Sequence, residues 1–268
     1  DKCDFSFTLR GEHIKLDYAL ITVHGTPGEN GLLQGYLDLV GVPYNTGGTL
    51  TEALTFNKYY CNRYLSTYPN LRVADSVRLL RNGFRPSSEE LIKRLGLPLF
   101  AKPNAGGSSV ATSKVESLEA LDKAVALAFD ECDEVLLERF IAGTEVTCGC
   151  YRIGDTITAL PVTEVVPKNS FFDFEAKYNG AVEEITPARI SPDLTALIQE
   201  LTREIYQHVD ARGIIRVDYI IEADGRPTLL EVNTTPGMTP TSFIPQQVKA
   251  AGLTMQDLLT DLIQDHLS

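Results

Sequence analysis

The sequence contains no tryptophan, and its histidines and cysteines are few: four and five in a chain of 268 residues. No two histidines sit at metal-ligand spacing, which argues against a zinc enzyme. The cysteines (Cys3, Cys61, Cys132, Cys148 and Cys150) are odd in number and lack metal-binding spacing. That pattern points to reduced thiols in a cytoplasmic protein. Positive charge is also short, 24 Lys and Arg against 36 Asp and Glu, for a net charge of −12. A general nucleic-acid surface would need clustered cations and is excluded. A nucleotide ligand is not, because a few converging cations and a metal can reverse the field of one cleft. No apolar run approaches the ~20 residues of a membrane span, and no charged, apolar and cleavage-site sequence opens the chain, so a cytoplasmic location without membrane contact is expected.

What is present fits an ordinary globular protein: 43% apolar and 22% charged residues. A chain of this length buries roughly 70–75% of its unfolded surface. Residues 18–24 read as a buried strand, followed by a glycine-rich loop from Gly25 to Gly31 and a helix to about Val40, stopped by Gly41. Val42–Tyr44 begins another extended piece, completing a strand–helix–strand unit of an α/β layer. Pro86–Ser88 starts a helix that Gly96 ends. Leu97–Lys102 and Val110–Val115 flank a Gly/Ser turn and form a hairpin, and Ser117 caps a helix with Leu118, Leu121, Val125 and Phe129 at helical spacing. Glu134–Glu138, Glu145–Arg152, Thr156–Val166, Ile214–Glu222 and Pro227–Val232 read as strands, with Cys148 and Cys150 as filler of a buried face. The helix 194–209 is expected to bury Leu194, Leu197, Leu201, Ile205 and Val209. A last helix begins at Thr254, with Asp257 three residues on and Leu253 and Leu258 placed as a staple. Between strands, 167–181 carries four aromatics and two lysines without a period, a loop long enough to have a task.

The strongest chemical pattern lies near the end. Arg216-Val-Asp218 places two charged side chains on one face of a strand, and Glu231-Val-Asn233 does the same. A turn at Ala223–Gly225 makes the two strands antiparallel neighbours, so all four residues face one space. Hard oxygen donors without His or Cys select magnesium or manganese, which phosphate and water then complete. The arginine is left to hold a phosphoryl oxygen. A solvated face of alternating charges would give either strand alone; the pairing beside apolar Leu229, Leu230 and Val232 favours a site. Lys102-Pro-Asn-Ala-Gly-Gly-Ser-Ser109 can wrap phosphate with backbone N–H groups and a lysine, although it lacks the Gly-Lys-Ser/Thr ending of a P-loop. Glu138-Arg-Phe-Ile141 and Glu145 could serve a base and a ribose.

Together these segments resemble the ATP-grasp superfamily, and within it the D-alanine–D-alanine ligases. His24-Gly-Thr-Pro-Gly-Glu-Asn-Gly-Leu-Leu-Gln-Gly35 is similar to that family's first signature, and Arg216–Tyr219 through Leu230–Met238 to its second; Lys102–Ser109 and Glu175–Tyr178 match in order between them. The resemblance implies an α/β chain with the α+β ATP-grasp fold: a partial N-terminal α/β substrate domain (1–53), a central ATP-grasp subdomain (54–142) and a C-terminal one carrying the metal site and a lid loop (143–268), enclosing the nucleotide. It implies ATP-dependent ligation of two D-alanines through an acyl phosphate, for peptidoglycan precursors. Lys58, Lys102 and Lys177 would contact ATP phosphates, with Glu138, Ile141 and Glu145 at adenine and ribose and Arg139 and Phe171 as further ATP-binding residues. Asp218, Glu231 and Asn233 would hold two magnesium or manganese ions. Arg216 and the backbone at Gly237 would stabilise the tetrahedral centre, and Ser108 would bond Tyr178 on the lid 167–181. His24, Ser242 and Phe243 would line the substrate site. ATP and D-alanine are the implied partners, and a homodimer stays open.

The chain departs from the family at its start, 23 residues before His24, where an early glutamate that positions the first D-alanine is expected; truncation is the favoured reading. Asn57 stands where Asp is frequent, and Phe243 where Leu is. Two other readings stay open: a ligase of another acid and amine, and a nucleotide-binding module without catalysis.

Overall fold

Glycine stops the first helix where the sequence puts it. The computed structural model describes residues 1–106, 110–167 and 182–267. A short hairpin, β1 (Phe7–Leu9) and β2 (Glu12–Ile14), precedes α1 (Leu32–Val40), which stops at Gly41 in the left-handed region, φ 71°. Residues 18–24 do not form the expected buried strand. A single parallel bridge joins Ala19 to Tyr44, and Leu20 and Val23 are exposed. The ladder ends there because a side chain replaces it: Asn45 Oδ1 accepts the Ile21 N–H at 2.5 Å and Asn45 Nδ2 donates to the Ile21 carbonyl at 3.1 Å. Ala19, Ile21, Leu37 and Val42 make the small core of this layer. Two helices not foreseen follow, α2 (Thr49–Phe56) and α3 (Lys58–Leu65); Asn57 caps α3 by accepting the Tyr60 N–H.

An antiparallel sheet of order β3 (Ser76–Leu80), β6 (Glu134–Arg139), β4 (Leu99–Pro103) and β5 (Ser113–Val115) comes next in the chain. Helix α4 (Ser88–Leu95) starts with the expected serine, in a reciprocal capping box with Glu90, and ends at Gly96. Helix α5 (Leu118–Glu131) packs Leu121, Val125 and Phe129 on this sheet, while Leu118 lies at the exposed margin.

The larger sheet runs β10 (Val182–Ile185), β9 (Thr163–Pro167), β7 (Thr144–Ile153), β11 (Ile214–Ile221) and β12 (Pro227–Asn233), with β8 (Thr156–Ala159) also on β7. The expected single strand 156–166 is therefore two. Pro161 has no N–H for the ladder, and the Leu160 N–H bridges the gap to the Gly149 carbonyl at 2.8 Å. Helix α6 (Pro192–His208) buries Ile198, Leu201, Ile205 and Tyr206 against Val146, Cys148, Cys150, Ile215, Val217 and Tyr219. Leu197, expected inside, is 42% exposed, because the buried stripe 194–198–201–205 passes one residue further round the helix. Both strand cysteines are buried as expected. On the opposite face lie α7 (Phe243–Ala250) and α8 (Met255–Leu267), the latter capped by Thr254 accepting the Asp257 N–H. No helix of the described residues is long and apolar enough to cross a membrane.

Candidate active site

Strand register assembles the centre. Arg216 pairs with Asn233 and Asp218 with Glu231, so the four side chains leave β11 and β12 on one face while Ile215, Val217 and Tyr219 take the core face. A register shift after Asp218 lets Tyr219 oppose Leu229, leaving Leu230 as the extra residue. Such a bulge twists a strand end and re-aims its side chains. Here it keeps Leu229 buried while Glu231 still meets Asp218.

The Arg216 guanidinium grips Asp218 with two bonds, Nε to Oδ1 and Nη2 to Oδ2, both 2.8 Å. Glu231 Oε1 lies 3.9 Å from the same guanidinium. Asn233 Nδ2 donates to Asp218 Oδ2 at 3.2 Å, and Thr147 Oγ1 donates to Asp218 Oδ1 at 2.5 Å. Burial works against the arginine's charge, yet Asp218 and then Glu231 and Glu145 hold its pKa above the ordinary value. Thr147 was missed from sequence. Period two puts it on one face of β7 with Glu145, but its pairing with Asp218 depends on β7 lying beside β11.

Helix α7 closes one side of this face. Gly149 opposes Arg216 across the β7–β11 ladder, and a Cβ there would meet Ile244 at 2.6 Å, so glycine lets the helix approach. Phe243 then lies against the Arg216 guanidinium, 5.3 Å from ring centroid to Cζ. Ser242 caps α7 without a side-chain bond to its backbone; its hydroxyl pairs with Thr239 Oγ1 at 2.8 Å. A Cβ on Gly237 would fall 2.7 Å from Ser242 Oγ, so these two expected residues are brought together.

Two of the lysines expected at phosphate are described, Lys58 at the start of α3 and Lys102 on β4. Lys58 Nζ lies 3.7 Å from Glu231 Oε2 and donates to the Gly106 carbonyl at 2.8 Å, joining the glycine-rich turn to the acidic face. Lys102 and Glu138, expected at phosphate and at nucleoside, form a buried pair with Nζ to Oε2 at 2.6 Å, and Asn62 Nδ2 donates to the other carboxylate oxygen at 3.4 Å. Ile141 is buried just beyond, with Arg139 and Glu145 partly exposed. His24 is exposed on a loop whose neighbour Val23 accepts a bond from Thr235 at 3.4 Å. Ser108, Phe171, Lys177 and Tyr178 lie outside the described residues, as does the lid reading beyond Pro167.

Among the described residues no three His, Cys, Asp or Glu side chains cluster in a way that could hold a metal. The donor set on this face is smaller, two carboxylates and the Asn233 carboxamide. It fits a hard cation that phosphate and water complete, and not one needing an all-protein cage.

Comparison with known proteins gives the chain its family. Residues 67–264 match the family described as D-ala D-ala ligase C-terminus. The chain belongs to the D-alanine–D-alanine ligase family. A D-alanine–D-alanine ligase of Porphyromonas gingivalis is 65% identical over 268 residues, all of this chain and 81% of the relative. That of Parabacteroides distasonis is 58% identical over 267 residues, 100% of this chain and 80% of the relative. The solved structure of the VanG D-Ala:D-Ser ligase of Enterococcus faecalis superposes with a TM-score of 0.86 at 34% identity, covering 95% of this chain and 74% of that one. D-alanine–D-alanine ligases have the ATP-grasp fold and are ATP-dependent, ADP-forming enzymes of peptidoglycan synthesis acting on small molecules.

Proposed function

We propose that this chain performs the family reaction, ligating D-alanine to D-alanine with ATP, on the β11–β12 face. The observation that carries the reading is the convergence there of Arg216, Asp218, Glu231 and Asn233 with Lys58 and the glycine-rich turn. Asp218, Glu231 and Asn233 would hold magnesium or manganese, two ions in our reading, which would supply charge neutralisation to phosphate. Lys58, Lys102 and Lys177 hold phosphate oxygens. Glu138, Arg139, Ile141, Glu145 and Phe171 surround adenine and ribose, with Lys102 exchanging its Glu138 contact for phosphate.

A carboxylate is a poor acyl donor. One carboxylate oxygen of the first D-alanine takes the γ-phosphoryl group, ADP leaves, and an acyl phosphate forms. The amine of the second D-alanine then bonds to the carbonyl carbon, phosphate departs with the C–O bond electrons, and the nitrogen loses its proton. Arg216 and the Gly237 N–H bond the oxyanion of the tetrahedral centre, where losing one donor typically costs ~3–4 kcal/mol. Ser242, at the start of α7, takes the second substrate's carboxylate beside positive N–H ends, with Phe243 and His24 shaping the site. Ser108 bonds Tyr178 on a lid, 167–181, that keeps water from the acyl phosphate. Three units (1–53, 54–142 and 143–268), a cytoplasmic location and a homodimer complete the proposal.

The test is phosphate release with ATP and magnesium across an acceptor panel of D-alanine, D-serine and D-lactate, scored by kcat/KM. D-alanine should lead. Turnover that needs no D-alanine, or a higher kcat/KM for another acceptor, would remove the reading.

A further inference from the structure

Asn104, two residues after Lys102, is fully buried and bonded on all sides. Its Nδ2 donates to Glu134 Oε2 at 2.6 Å and to Asn57 Oδ1 at 2.9 Å, and its Oδ1 accepts the Tyr59 N–H at 2.8 Å. Its backbone N–H donates to the Glu134 carbonyl at 2.9 Å, and its carbonyl accepts the Lys58 N–H at 3.0 Å. Asn57 completes the cluster. Its Oδ1 also accepts the Tyr60 N–H at 3.0 Å, its Nδ2 reaches Glu134 Oε2 at 3.5 Å, and its backbone bridges Ala105.

The geometry points to Asn104, Asn57 and Glu134 as a positioning brace that fixes Lys58 to Ala105 and Gly106, the start of the glycine-rich turn, and so sets where the ATP phosphates meet the acidic face. None of the three needs to touch ATP. The brace locks the start of α3, which carries Lys58, to the strand end that leads into Ala105 and Gly106. Lys58 Nζ can then span from the Gly106 carbonyl to within 3.7 Å of Glu231. Glu134 Oε2 takes donors from both amides and also lies 3.5 Å from the Arg78 guanidinium, so the substitution Asn57→Asp would replace one amide donor to it with a second carboxylate.

This inference rests on the phosphate roles proposed above for Lys58 and Lys102, so its test includes a binding arm that does not depend on turnover. Asn104→Ala should weaken ATP binding by calorimetry about tenfold. It should raise KM for ATP by a similar factor, with KM for D-alanine within about twofold of the parent. Asn57→Asp should do the same, and adding Glu134→Gln should return ATP binding to within about threefold of the parent, because the glutamine amide donates to the new carboxylate. If Asn104→Ala binds ATP like the parent, or shifts both Michaelis constants alike, or if the double variant is no better than Asn57→Asp, the brace is wrong. A parent that binds ATP but does not turn over D-alanine would count against the proposed function alone, and the binding arm would still decide the brace.

Discussion

The β11–β12 face and the N-terminal layer are held in place by opposite means. On β11 and β12 the backbone ladder does the positioning, and Arg216, Asp218, Glu231 and Asn233 share a face because strand register puts them there. In the N-terminal layer buried side chains stand in for the ladder. Asn45 bonds both backbone groups of Ile21, and Gln34 Nε2 holds the Gly28 carbonyl at 2.7 Å and Thr46 Oγ1 at 2.9 Å. Glu52 of α2 is fully buried and accepts a bond from Thr234, the residue after Asn233. A ladder tolerates changes of side chain outside the functional set, whereas a layer held by amides and a carboxyl loses its geometry with each one.

The largest effect that would sharpen this contrast is on activity. Asp218→Asn keeps the ladder but removes the charge that Arg216 grips and that a cation needs. It should lower kcat/KM about a thousandfold or more, while circular dichroism and ATP-free oligomeric state stay those of the parent. A thousandfold loss accompanied by unfolding would instead make the face structural.

Next in size is Asn45→Ala, which strands a buried N–H and C=O of Ile21. Urea denaturation should show a loss of about 3 kcal/mol, with ATP affinity little changed because Lys58 and Lys102, the lysines proposed to bind ATP, sit elsewhere. A loss below about 0.5 kcal/mol would mean the backbone closes its own ladder there.

The smallest concerns pH. Burial, with Glu29 adding, pushes the Glu52 carboxyl up to about 8 from 4.5, against the opposing bonds from Thr234 and Gly47. The folded state therefore keeps a proton that the unfolded chain gives up. The contribution is fully present below about pH 4.5 and is lost as pH rises to about 8. Glu52→Gln should remove about 2 kcal/mol of the stability change between about pH 6 and 7.5. An unchanged slope would show that Glu52 ionises normally.

The same contrast decides what could be read from sequence. The pairing on β11 and β12 was legible because period two and a short turn are enough to pair Arg216 and Asp218 with Glu231 and Asn233; Thr147 was not, since its place beside Asp218, 71 residues away in sequence, needs β7 next to β11. The bulge at Leu230 was not, since nothing in Leu229-Leu230-Glu231 distinguishes it from a regular strand. Residues 18–24 read as a buried strand because Tyr-Ala-Leu-Ile-Thr-Val is apolar. The asparagine that ends the ladder lies 24 residues from its partner Ile21 and resembles any turn residue. Leu197 was placed inside because the 3.6-residue period of α6 cannot separate two adjacent apolar residues at the edge of a stripe. The pairing of Lys102 with Glu138 depends on strand order β3–β6–β4, a long-range fact that local pattern does not carry.

The claim that the β11–β12 face is the catalytic end is tested most directly by Arg216→Gln, measured for D-alanine-dependent phosphate release alongside ATP binding. The account predicts turnover reduced at least about a thousandfold with ATP affinity within about threefold of the parent. Arg216→Gln enzyme that turns over D-alanine at the parent rate would contradict it.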